Sequence, residues 1–151
     1  MRIRVIGVGT RRGDDAAGLE AAGRLARGPL PPGVEVVTCE RPAPDLVEAL
    51  AGVDAAVVLD ATRSGGPPGL VRRVALEEIR RAAALSSHGL GVGDALALAE
   101  ALGHAPARLA LLGIEAGDAE GEELSPAVRQ GVEEAAARVR ALLEEMLRDS
   151  S

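Results

Sequence analysis

The sequence predicts an α/β fold, with a parallel or mostly parallel sheet covered by helices on both faces. Three observations carry this. Short runs of apolar and branched residues alternate with longer stretches of helical periodicity. The run Ala55–Leu59 is apolar throughout, as expected of a strand buried on both faces. Glycine- and proline-rich turns separate the elements. Right-handed crossovers between parallel strands follow from such alternation.

Taken in order, residues 2–8 read as a strand, short, branched and followed by glycine. Asp14 or Asp15 is expected to cap a helix running to about Arg27, with Ala17, Leu19, Ala21, Ala22 and Leu25 as its apolar stripe. Gly28–Gly33 is a stiff turn, and Val34–Cys39 a second strand. Pro44-Asp45 starts a short helix through Leu50, closed by Gly52. Ala55–Leu59 forms the central strand and ends directly on Asp60. Beyond the turn Ser64–Gly69, Leu70–Leu76 adds a strand, antiparallel and at an edge, and Glu77–Leu85 is weakly helical. The loop Ser86–Gly91 leads to a helix from about Val92 to Leu102, then a strand over Arg108–Ile114. Glu115–Leu124 reads as an acidic, solvated loop. Ser125-Pro126 marks the start of a last helix to about Arg148, with Val128, Val132, Ala136, Val139, Leu142, Leu143 and Met146 on one side.

A length of 151 residues suits a single domain over 1–151, and neither a repeat nor a linker divides it. There is no Phe, Trp or Tyr, so Ala, Val, Leu and Ile must build the core, and recognition by base stacking is excluded. Every basic side chain is arginine, which a GC-rich genome explains. The net charge of −6 argues against a nucleic-acid backbone as the main partner. No apolar run reaches the roughly 20 residues needed to span a bilayer. The single cysteine, Cys39, has no internal disulfide partner, and the expected setting is cytoplasmic. Cys39 is best read as a small buried hydrophobe, because nothing near it activates a thiol.

Loops at the carboxyl ends of neighbouring parallel strands open onto one crevice, where ligands bind. Asp14, Asp15 and Asp60 fall there. Capping accounts for one of the first two acids. A hydrogen-bonded turn with Thr62 or Ser64 competes evenly with a chemical role for Asp60. His88, in its glycine-bounded loop, is expected beside the same edge, whereas His104 reads as a surface residue. Two carboxylates and an imidazole make an open donor set for a borderline divalent ion. The Gly7-Val8-Gly9 turn is not a dinucleotide fingerprint, since its third glycine would fall at Arg12.

Four segments resemble the hydrogenase maturation proteases, the endopeptidases that trim the C-terminal tail of nickel–iron hydrogenase large subunits. VIGVGTRRGDDAAG is similar to the family's strand, G-x-G-N turn and D-[DE]-G-x-G helix start. VVLDATRSGGPPG is similar to its central strand ending on Asp, followed by a Pro-Gly turn. SSHGLGVGDALALAEALG resembles its S-x-H-x-L-G-L segment and following helix, and LLGIEAGDAEGEELSPAV its G-[IV]-E…L-S-P-x-V stretch. The likeness runs in order from residue 2 to about residue 145.

The resemblance implies a three-layer α/β/α sandwich around a five-stranded twisted sheet. It carries three site residues onto this chain, as metal ligands and catalytic groups: Asp15, the second acid of the D-[DE] pair, Asp60, and His88. Asp14 is left as the structural partner. The implied metal is nickel, supplied by the partner, a large-subunit precursor already loaded with it; the chain itself is expected to be a monomer. Thr10 stands where the family has Asn, Arg11 and Arg12 replace apolar residues, and Ala16 replaces a glycine. The second-strand end, Thr38–Asp45, departs from a segment tied to substrate choice. A checkpoint that binds the loaded subunit without cutting, or a paralogous hydrolase with another substrate, are the alternatives.

Overall fold

A computed structural model describes residues 1–85, 91–117 and 121–149, without the side chains of 42, 43, 80 and 82–85. Its strands are β1 (Ile3–Val8), β2 (Val34–Cys39), β3 (Ala55–Thr62), β4 (Val71–Val74) and β5 (Arg108–Glu115). They form one sheet in the order β2-β1-β3-β5-β4. The first four in that order are parallel, and β4 pairs antiparallel with β5 at the edge. The helices are α1 (Ala17–Arg27), α2 (Val47–Leu50), α3 (Leu76–Leu85), α4 (Val92–Ala101) and α5 (Pro126–Asp149).

The sheet separates two cores. Strand side chains alternate between faces, so Ala55, Val57 and Leu59 of β3 join α1 and α5 on one side. Ala56 and Val58 meet α2, α3 and α4 on the other. Apart from Met146, the core is built of small and branched side chains, and close approach of backbone replaces aromatic bulk. Gly18 of α1 shows how close: a Cβ there would lie 2.3 Å from the Leu59 carbonyl oxygen and 2.5 Å from that of Val8. The helix therefore rests on the backbones of β1 and β3.

Several boundaries differ from those read in the sequence. β3 continues past Asp60 to Thr62, because β5 supplies ladder partners that far, Asp60 opposite Gly113 and Thr62 opposite Glu115. The turn before α2 begins at Pro42 rather than Pro44, as a wide π-type turn over Pro42–Leu46. Neither Asp14 nor Asp15 caps α1. They lie within a 3-10 turn over Gly13–Ala16 that runs straight into the helix, and no side chain caps either element. Glu115 is not part of a solvated loop; it ends β5 and is buried. Among the described residues, no helix is long and apolar enough to cross a membrane.

Candidate active site

The 3-10 turn after β1 packs against β3, and this brings Asp15 to the carboxyl edge of the sheet beside Asp60. Asp60 shares the parity of Ala56 and Val58, so its side chain points to the α3–α4 side. There it lines a cleft of about 350 Å³, with Val74, Ile79 and Leu111 among the apolar walls, the Arg72–Glu78 ion pair, and residues 91–94 at the start of α4. Burial pushes the Asp60 carboxyl from 3.8 up to about 7. The Ala61 backbone N–H works against that rise, and the negative charge of Asp15 adds to it. The two carboxylates therefore feel each other, and together they favour a cation or a shared proton.

Asp15 is about half exposed, and the Arg63 guanidinium donates to its Oδ1 at 2.7 Å. Asp14 next to it does a different job. It is 2% exposed and accepts from the Gly117 N–H at 2.9 Å, the Ser125 N–H at 2.8 Å and the Ser125 hydroxyl at 3.0 Å. Asp14 thus ties the first loop to the segment that leads into α5. Gly9 makes the turn possible: its φ is +153°, and a Cβ would meet the Asp15 carbonyl oxygen at 2.2 Å.

Glu115 was missed as an organising residue. Its carboxylate accepts five hydrogen bonds, from the Thr62 hydroxyl, the Ser64 N–H and hydroxyl, and the N–H groups of Gly65 and Gly66. Burial alone would raise its pKa, yet these donors outweigh burial and hold it below the ordinary glutamate value. Thr62 and Ser64 therefore serve Glu115, not Asp60 as a turn-forming role for Asp60 would require. The signal was present in the sequence: a donor-rich Thr-x-Ser-Gly-Gly segment following one strand, and a carboxylate ending the next.

Cys39 is buried, and its thiol is pushed up to about 11 by burial and by Asp45 and Glu48, so it is an inert core residue. Among the described residues, no three His, Cys, Asp or Glu side chains converge into a group that could hold a metal. The third expected donor, His88, lies outside the described residues.

Residues 20–142 match the family model HycI, described as hydrogenase maturation protease. The chain belongs to that family. Asp60 and His88 fall inside the matched residues, whereas Asp15 precedes them. The chain is 35% identical over 92 residues to the hydrogenase expression/formation protein HupD of Thiocapsa roseopersicina. That match spans 58% of this chain and less than half, 42%, of HupD. Structural similarity extends further. The hydrogenase maturating endopeptidase HybD from E. coli superposes with a TM-score of 0.84 and 30% identity, over 97% of this chain and 94% of HybD. The [NiFe] hydrogenase maturation protease HybD from Thermococcus kodakarensis gives a TM-score of 0.73 and 30% identity, over 94% of this chain and 99% of its own. The chain thus shares the α/β architecture of those proteins over nearly its whole length.

Proposed function

We propose that this maturation protease removes the C-terminal extension of a nickel-loaded nickel–iron hydrogenase large subunit, with Asp15, Asp60 and His88 engaging the nickel that the substrate carries. The observation that carries this reading is the placement of Asp60. Its carboxylate stands in a cleft at the carboxyl edge of the sheet, with the charge of Asp15 close enough to be felt. Family membership supplies the substrate class. Cytoplasmic action accompanies the proposal.

Asp60 in the cleft, with the charge of Asp15 close by, suits a dication already held by the substrate. When bound, nickel supplies a point of attachment and a Lewis acid near the scissile bond. Attachment through Asp15 and Asp60 places the adjoining tail along the cleft, which converts peptide cleavage into a proximity problem. Hydrolysis adds water across the peptide C–N bond. An ionised carboxylate accepts the proton of the attacking water and returns one to the departing amine.

The test incubates the protein with nickel-loaded and nickel-free precursor and follows loss of the tail by mass. Cleavage of the loaded form alone supports the reading. Binding of both without cleavage of either points instead to a non-cutting checkpoint. Cleavage unchanged in Asp15→Ala or His88→Ala removes those residues from the site.

A further inference from the structure

We propose that Arg63 is the resident counter-ion of Asp15, a positioning residue that holds this carboxylate in place until a divalent cation displaces it. The inference rests on the reading of Asp15 and Asp60 as ligands for the substrate's nickel. Its own support lies in how Arg63 is held. The residues on either side, Thr62 and Ser64, are both anchored on the Glu115 carboxylate, at 3.0 Å from the Thr62 hydroxyl and at 2.7 and 2.8 Å from the Ser64 N–H and hydroxyl. The backbone at Arg63 is therefore fixed from both sides, and only its long side chain can swing.

That side chain closes a circuit across the site. The guanidinium donates to Asp15 Oδ1 at 2.7 Å and to the Gly117 carbonyl at 3.3 Å. Gly117 in turn donates its N–H to Asp14 at 2.9 Å. Three segments thus meet around the Asp14–Asp15 pair: the turn after β1, the loop after β3 and the loop after β5. A guanidinium on Asp15 Oδ1 already offsets the charge that a dication would bind, and the two cations repel one another at that carboxylate, so entry of the metal favours release of the guanidinium. Both partners are about half exposed, 57% for Arg63 and 49% for Asp15, and such a pair is weak and screened by salt. It discriminates modestly against free metal. It yields readily to a cation delivered at high effective concentration by a docked partner.

Calorimetric titration of Ni²⁺ alone into the wild-type chain, Arg63→Ala, Arg63→Lys, Asp15→Asn, Asp60→Asn and the Arg63→Ala/Asp15→Asn double variant tests this, with far-UV circular dichroism as the folding control. Arg63→Ala is expected to bind Ni²⁺ about two- to fivefold tighter, the range open to an exposed ion pair. Arg63→Lys should return towards wild type, the gain should vanish in the double variant, and it should shrink as salt rises. Binding by Arg63→Ala that is equal to wild type, weaker or absent overturns the role of Arg63. Asp15→Asn and Asp60→Asn that bind as tightly as wild type overturn the ligand reading beneath it instead.

Discussion

Glu115 takes both the backbone N–H and the hydroxyl of Ser64, at 2.7 and 2.8 Å, from a position where it is only 3% exposed. A carboxylate buried at the end of β5 thereby shapes the loop that leaves β3, the strand beside it, and with it the rim of the Asp60 cleft.

Removing that acceptor strands several donors at once. Glu115→Ala is expected to cost about 3 kcal/mol, because the N–H groups of Ser64, Gly65 and Gly66 lose their partner in a partly buried setting. Glu115→Gln keeps the shape but loses the charge that strengthens these bonds, and should cost about 1–2 kcal/mol. Urea unfolding of both variants measures the difference. Equal stability of all three proteins would show that the loop holds itself.

Asp14 and Asp15 should give opposite phenotypes although they are neighbours in sequence. Asp14→Ala unpairs Gly117 and Ser125 and is expected to cost about 2–3 kcal/mol. Asp15→Asn gives up only a half-exposed ion pair and should change stability by less than about 1 kcal/mol, while abolishing tail removal. Thermal unfolding and the precursor assay, run on both variants, separate the two roles.

The pair shows what local sequence can and cannot reveal. Adjacent acids after a strand are indistinguishable by spacing; only the partners they meet separate them, and Gly117 and Ser125 lie more than a hundred positions away. β2 was legible to the residue because a proline–glycine turn precedes it and Cys39 ends its apolar run. The end of β3 was not, since a charged residue at Asp60 reads as the close of a buried strand, whereas the ladder to β5 carries on through Thr62. Glu115 was hidden for a similar reason. It opens a run of acids, and Glu122 and Glu123 in that run are indeed exposed, so nothing nearby marked the first as buried. The architecture, by contrast, rests on periodicity, and periodicity survives such local errors.

Asp60 predicts a pH dependence of stability whose sign is opposite to that of a salt-bridged acid. Its folded pKa, about 7, lies above the ordinary value of 3.8. Between these values the unfolded chain has released the proton that the folded chain still holds, so stability falls as pH rises. The contribution is fully present below about pH 4 and lost above about pH 7. Asp60→Asn cannot ionise, and should flatten this slope and raise stability at pH 8 by about 1–2 kcal/mol relative to wild type. Unfolding curves from pH 4 to 8 for both proteins check it; parallel slopes would contradict it.

Gly18 links the packing of α1 to the chemistry at its head. The helix begins directly where the turn bearing Asp15 ends, so any shift of α1 moves that carboxylate relative to Asp60. A methyl group at Gly18 would press on the Leu59 and Val8 carbonyl oxygens, at 2.3 and 2.5 Å, and both belong to hydrogen-bonded strands that cannot give way. The helix must lift instead. Gly18→Ala is expected to destabilise the fold by about 2–4 kcal/mol, as overpacking against rigid backbone does. It should also slow tail removal under conditions where the protein remains folded, because a displacement of about 1 Å suffices to impair a positioned site. Gly23→Ala is the control, since a Cβ there meets only the end of the Arg27 side chain, at 3.5 Å, and a better helix former should be neutral or stabilising by up to ~1 kcal/mol. Thermal melts and the precursor assay on the two variants decide the matter. Wild-type stability in Gly18→Ala would mean that the helix-to-sheet contact is looser than its geometry shows.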